Sequence, residues 1–214
     1  MMNEITLGER SVVYVTDIYC GWCWGFSERM KEFEAANRHR VNFTVISGGL
    51  FTGERATAIS NYPHISQANE QITMLTGANF GAPYQQLLKE GSHMLNSLDA
   101  AVALATLRDQ APERSILWTH ALQSAFYEQG LDLSDHNTIA AIALAHGLDA
   151  DAVRTNLING KAIKIAKQDF AIAHQLGVAS YPTLLFIDGS NIYQLPATGT
   201  PFDILNQKLD ALLT

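Results

Sequence analysis

Apolar and β-branched residues crowd Ser11–Thr16 (Ser-Val-Val-Tyr-Val-Thr), which has the length and composition of a buried strand. From Cys20 onward, Phe26, Met30 and Phe33 recur at spacings of four and three. Charged Glu28, Arg29, Lys31, Glu32 and Glu34 lie between them, so the pattern predicts one amphipathic helix. Val41–Ser47 alternates and stops at Gly48-Gly49, a second strand. The opening is therefore β-α-β, with a right-handed crossover implied.

The following hundred or so residues lose the β-branched runs and become rich in Ala, Leu, Gln and Asn. Helices are predicted at Ile65–Leu75, Pro83–Glu90, Ser97–Asp109, Pro112–Gln129, Ser134–Ala145, Asp149–Leu157 and Lys161–Leu176. Ser97, Ser134 and Asp149 read as N-caps, Pro112 as a first-turn proline, and Gly130, Gly147 and Gly177 as residues just past helix ends. Strand character returns at Thr183–Ile187. A turn at Asp188-Gly189-Ser190 and a second run, Asn191–Leu195, complete a hairpin. Thr200 as N-cap, Pro201 and Asp203 then open a last helix through Phe202, Leu205, Leu209 and Leu212. No Pro- or Ser-rich linker separates the blocks. The expected architecture is an α/β unit, residues 1–60 plus 177–214, interrupted by an all-helical insertion over 61–176 whose last helix leads back into the sheet.

Charge and composition narrow the function. The 214 residues carry a formal charge of −7 and no long basic run, which argues against a nucleic-acid partner. The stretch Ala100–Leu107, closed by Asp99 and Arg108, falls far short of the ~20 apolar residues that a membrane span needs. Met1–Arg10 has neither a basic start nor an apolar run of secretory type, so a cytoplasmic location is expected. Only two cysteines occur, Cys20 and Cys23, so a disulfide framework is excluded and the pair reads as one site.

Cys20-Gly21-Trp22-Cys23 lies between a strand end and a helix start. Two thiols at i and i+3 share one turn and can close a disulfide. Unpaired N–H groups at the helix N-terminus favour a thiolate at the first sulfur. Cys20 is then the expected exposed nucleophile and Cys23 the shielded thiol that resolves a mixed disulfide. Bland readings are a zinc site, which would need two further ligands at no recognisable spacing, a structural disulfide, or two small buried hydrophobes. No metal site is expected. The histidines, His39, His64, His93, His120, His136, His146 and His174, are scattered and receive no role. Trp22 is expected at the surface beside the cysteines as an apolar platform, and Trp24 in the core. Gly48-Gly49-Leu50 reads as a plain turn or a ligand-binding strand end. Pro182, in Gly177-Val178-Ala179-Ser180-Tyr181-Pro182-Thr183, reads by itself as a trans proline on an edge strand.

A strand, Cys-x-x-Cys at a helix start, a helical insertion and a Gly-Val-x-x-x-Pro-Thr ahead of a hairpin together resemble the thioredoxin superfamily, in its DsbA-like branch. Tyr19-Cys20-Gly21-Trp22-Cys23-Trp24-Gly25, with Asp17 ahead of it, is similar to the FrnE-like cytoplasmic predicted disulfide isomerases. These are related to 2-hydroxychromene-2-carboxylate isomerases and kappa-class glutathione transferases. The resemblance implies a thioredoxin-like fold, a cis Pro182 facing the cysteines, and Tyr181 offering backbone groups to an extended substrate. At the position six residues before Cys20, where such relatives carry a buried carboxylate, this chain has Tyr14. Asp17 reads as a strand-end cap or as a substitute proton acceptor.

The expected function is a thiol–disulfide oxidoreductase of reductase or isomerase type, acting on disulfide-containing proteins, peptides or glutathione. It requires no cofactor, with glutathione as a possible redox partner. The alternatives are a glutathione-dependent isomerase or transferase of the same fold, and a non-catalytic redox sensor or binding module.

Overall fold

A computed structural model describes residues Arg10–Thr214. The first nine, on which the secretory-signal reading mostly rests, lie outside the described residues. In chain order the elements are β1 (Arg10–Thr16), α1 (Gly21–Asn37), β2 (Asn42–Ser47), β3 (Thr57–Ala58), α2 (Ile65–Thr76), α3 (Ala82–Glu90), β4 (Met94–Leu95) and α4 (Ser97–Gln110). They continue as α5 (Ser115–Tyr127), α6 (His136–Ala145), α7 (Ala150–Ile158), α8 (Lys161–Gln175), β5 (Thr183–Asp188), β6 (Asn191–Leu195) and α9 (Phe202–Leu213). This is the α/β thioredoxin-like architecture with added helices.

The main sheet has the order β2-β1-β5-β6, with β1 and β2 parallel and β5 antiparallel to both its neighbours. Strand alternation distributes β1 over two layers. Val12 and Tyr14 join Phe26, Met30 and Phe33 of α1 and Leu205 and Leu209 of α9, in a core shared with Leu104, Trp118 and Leu122 of the helical segment. Val13 and Val15 face the other way, against Ala173 of α8. The helical segment thus packs into the core of the sheet.

Several expectations need correction. Asn96, not Ser97, caps α4, because its side-chain oxygen accepts from Leu98 N–H at 3.1 Å; Ser97 Oγ accepts from Phe51 N–H at 2.8 Å instead. Asp135 displaces Ser134 as the cap of α6, since Ser134 Oγ is bonded to the Asp132 carboxylate. Pro201 occupies the N-cap position of α9 in place of Thr200 and supplies no side-chain cap. The long helix expected from Pro112 breaks into a tight 3-10 turn, Pro112–Arg114, followed by α5. The β3–β4 pair is only two residues per strand, too short for any period to show. Pro182 lies at the mouth of an interior strand, and the Tyr181–Pro182 bond is cis; the edge-strand, trans reading is overturned.

Beneath this core, His120 bonds Ser27 Oγ through Nδ1 at 2.8 Å and has Lys31 3.2 Å from Nε2. Burial, then the Lys31 charge, holds its pKa below the ordinary imidazole value; burial does the same to His93. A lowered native value means that the unfolded chain binds the proton more readily. The stability contributed by these groups is full above about pH 6.5 and is lost as pH falls through the native value. Burial raises Asp17 and Asp169, whose contributions run the other way on acidification. The expected result is therefore a difference: between pH 7.5 and 5.5 the Tm of His120→Gln changes less steeply downward than that of the wild type. Parallel Tm-against-pH curves would refute it.

Candidate active site

Cys20 is the N-cap of α1, in extended conformation (φ −87°, ψ 111°), and its sulfur accepts the Cys23 N–H at 3.3 Å. The Cys20 carbonyl accepts Cys23 and Trp24 N–H, both at 3.0 Å. The sulfur of Cys20 therefore sits at the N-terminus of α1, where it shares the Cys23 N–H with its own carbonyl. Both thiols are free. Cys20 is 5% exposed and Cys23 0%, so the freely exposed Cys20 expected from sequence is corrected to a sulfur at the floor of a cleft. Burial, then the hydrogen bond to Cys20, pushes the Cys23 thiol pKa up.

The cleft, about 120 Å³, is lined by Tyr19, Cys20, Trp22, Leu50, Asn69 and Tyr84 among others, and Cys23 does not reach it. Its far wall is α2. A Cβ on Gly21 would stand 3.0 Å from Ile72 Cδ1, and one on Gly25 2.6 Å from Ile72 Cγ2, so small residues at these two places let α2 lie against α1. Asn69 Nδ2 donates to Tyr84 Oη at 3.1 Å, tying α2 to α3 behind the cleft. His64 also lines it. Sequence reading did not single out Asn69, Tyr84 or Tyr127, and gave His64, like the other histidines, no role. Their meeting point is tertiary: Asn69, Tyr84 and Tyr127 come from α2, α3 and α5.

On the opposite side the cis Tyr181–Pro182 pair closes over the cysteines, and Cys20 Sγ lies 3.5 Å from the Tyr181 carbonyl, to which the thiol donates. Tyr181 Oη donates to the Gly48 carbonyl at 2.5 Å. Trp22 is half-buried at the cleft rim, its carbonyl accepting from Thr198 Oγ1 at 3.0 Å. Trp24 turns into the core, donating Nε1–H to the Asn79 carbonyl at 2.8 Å and stacking 5.9 Å from Tyr127. The structure thus gathers Cys20, Cys23, Tyr181 and Pro182, with Trp22 at their edge.

Asp17 is buried and wholly engaged as a cap. Its Oδ1 accepts from Tyr19 N–H at 3.0 Å and its Oδ2 from Leu50 N–H at 2.7 Å, with Ser97 and Gly49 also bonded. Burial outweighs these bonds and raises its pKa. The Asp17 carbonyl accepts the Cys20 N–H at 3.1 Å, and it is the Asp17 backbone, not its carboxylate, that acts on the Cys23 thiol. The Gly48–Leu50 segment accordingly serves as a turn clamped by Asp17 and also brings Leu50 to the cleft. Among the described residues no cluster of His, Cys, Asp or Glu has the makings of a metal site, and no helix is long and apolar enough to cross a membrane.

Similar proteins have this shape. A candidate protein disulfide isomerase of Nitrosomonas europaea superposes with a TM-score of 0.82 at 19% identity, covering 96% of this chain and 98% of that one. The cytosolic disulfide reductase DsbM of Pseudomonas aeruginosa gives 0.79 at 20% identity, covering 94% and 98%, and DsbM has also been solved with glutathione. In sequence, the ClpXP adapter protein SpxH of Shouchella clausii (strain KSM-K16) is 22% identical over 199 residues, 92% of this chain. This chain spans 65% of that relative's length. With the model of the DSBA-like thioredoxin domain matching residues 11–210, the chain belongs to the DsbA-like thioredoxin family.

Proposed function

We propose that this protein is a thiol–disulfide oxidoreductase of reductase or isomerase type, working on disulfide-containing proteins, peptides or glutathione in the cytoplasm. The observation that carries this reading is the asymmetric dithiol: one sulfur at the floor of a cleft on a helix N-terminus, the other one turn deeper and closed to solvent.

Cys20, as thiolate, attacks one sulfur of a substrate disulfide; the other sulfur leaves as a thiolate and Cys20 is held in a mixed disulfide. Cys23 then loses its proton and attacks the Cys20 sulfur. The Cys20–substrate bond breaks, the substrate leaves with the electron pair, and a Cys20–Cys23 disulfide remains. Two electrons have passed to the substrate. An external thiol such as glutathione restores the dithiol, a partner supported by the glutathione-bound likeness of DsbM. No cofactor is needed. Tyr181, whose carbonyl lies 3.5 Å from the Cys20 sulfur, the Pro182 that follows it, and Trp22 at the cleft rim form the proposed substrate groove, with the Tyr181 backbone pairing an extended peptide. The apolar cleft beside Cys20 suits an apolar group next to the scissile disulfide. The segment 61–176, read as an insertion into the unit 1–60 plus 177–214, walls that cleft and sets substrate choice. The likeness to a cytosolic reductase supports the location.

The test is trapping. Cys23→Ser is expected to accumulate a mixed disulfide with glutathione or a model peptide, resolved by mass, and Cys20→Ser is not. Equal trapping by both variants, or by neither, would overturn the roles. Turnover that survives Cys23→Ser with glutathione and an electrophile would favour a transferase instead. A binding-module reading draws on the SpxH likeness and requires a partner whose affinity differs between dithiol and disulfide forms.

A further inference from the structure

The sulfur of Cys23 is shut off from water, yet it must carry negative charge when it attacks the mixed disulfide. A charge in such a place needs donors. The side-chain carboxylate of Asp17 is taken up by Tyr19, Leu50, Gly49 and Ser97 and is not a partner of the thiol. Hydroxyls fill the gap. Tyr14 and Thr16 are two residues apart on β1 and lie on the same face of it, toward α1. Thr16 Oγ1 donates to Tyr14 Oη at 3.1 Å, and both hydroxyls face Cys23 closely enough to interact with it: Cys23 helps to raise the Tyr14 phenol, and Thr16 acts to lower the Cys23 thiol. With its oxygen accepting from Thr16, the one proton of Tyr14 is free to point at sulfur. The ring is pinned by its strand neighbours Val45 and Leu184 and by edge-on contact with Phe26 at 6.0 Å.

We propose that Tyr14 is a catalytic residue of the resolving step, its hydroxyl, oriented by Thr16, donating a hydrogen bond to the Cys23 thiolate as that sulfur attacks Cys20. The proposal rests on the thiol–disulfide reading above. In the step, the Cys23 proton ends on the departing substrate sulfur, the Cys20–Cys23 bond forms, and the Cys20–substrate bond breaks with its electron pair on that sulfur. Tyr14 gives up no proton. Burial, then the neighbouring Cys23, holds its phenol well above its ordinary pKa, so it stays a donor and never a base. The ionisable groups around the pair are Tyr127 from α5, Tyr181 and Asp17. Burial raises both of these phenols, so neither ionises in the neutral range.

The experiment is stopped-flow reaction of the reduced protein with 5,5′-dithiobis(2-nitrobenzoate). The first thionitrobenzoate is released as Cys20 forms the mixed disulfide, the second as Cys23 displaces it. Tyr14→Phe is expected to leave the first release unchanged, to slow the second by roughly tenfold and to move its pH profile upward by about one unit, the size of one hydrogen bond to a charged group. Thr16→Val shifts the second release in the same direction, and Thr16→Ser, which keeps a hydroxyl, restores most of the lost rate; this pair carries the test if Tyr14→Phe does not fold. An unchanged second release and pH profile, or equal slowing of both releases, would overturn the role of Tyr14. If the wild type releases no second thionitrobenzoate, the oxidoreductase reading itself fails, which is a distinct result.

Discussion

Asp169→Ala is expected to destabilise the protein by about 3–5 kcal/mol, the cost of leaving a buried charge without its partner. The reason lies at the outer edge of the sheet. β2 has β1 on one side only, and its other edge exposes backbone groups at Val45 and Ser47 with no strand to pair them. An ion pair from two helices takes their place. Arg108 of α4 and Asp169 of α8 meet at 2.7 Å, with side chains 14% and 5% exposed. Arg108 Nη1 donates to the Val45 carbonyl, and Asp169 Oδ2 accepts the Ser47 N–H at 3.0 Å. The pair closes the edge that would otherwise be free to pair with another chain, and it fixes α4 and α8 to the sheet. Removing Asp169 strands the guanidinium and the Ser47 N–H together. At about 2–4 °C per kcal/mol for a chain of this size, the Tm should drop by roughly 6–20 °C. The double variant Arg108→Met/Asp169→Leu removes both charges and should recover a large part of that loss, since apolar replacements of buried pairs are often neutral. A single-variant Tm within 2 °C of wild type, or a double variant as unstable as the single, would sink this account.

What the sequence disclosed follows from range. Ser11–Thr16, Phe26–Phe33 and Thr183–Ile187 carry their own period, and each appears as the strand or helix expected. The chemistry was also local: Cys20 and Cys23 sit on one turn because three residues separate them on a helix. Helix starts were less legible wherever two polar residues compete. Asn96 beside Ser97, and Asp135 beside Ser134, are both able to cap, and tertiary demand for the serine hydroxyl decides the first case, since Ser97 is bonded to Phe51 N–H. The cleft was invisible, because Asn69, Tyr84 and Tyr127 are brought together by three different helices. Tyr14 stood between. Its identity marks a missing carboxylate, and its spacing from Thr16 places both hydroxyls on one strand face, but contact with Cys23 depends on how α1 lies over β1.

Gly48→Ala is expected to damage the site and the fold together, because the glycine is the seat of the Tyr181 ring. A Cβ there would lie 2.0 Å from Tyr181 Cε1 and 2.3 Å from Cζ, inside any tolerable contact. The backbone of Gly48 has little room to yield. Its N–H donates to the Thr16 carbonyl at 2.7 Å, continuing the β1–β2 pairing, and its carbonyl accepts the Tyr181 hydroxyl at 2.5 Å. The ring must therefore leave. Tyr181 is bonded through its own carbonyl to Cys20 and precedes Pro182, so a displaced ring carries the wall of the groove away from the sulfur. An overpacked site of this kind costs about 1–3 kcal/mol, and the misplaced wall should lower the rate of peptide-disulfide reduction by tenfold or more. Tyr181→Phe keeps the ring and loses only the bond to Gly48, so its effect on both quantities should be smaller. Gly48→Ala/Tyr181→Ala has no ring left to collide, and its stability should exceed the sum of the two single changes. Strict additivity in that cycle would mean that the methyl group meets no ring, and that the seat under Tyr181 is not what holds the groove closed over Cys20.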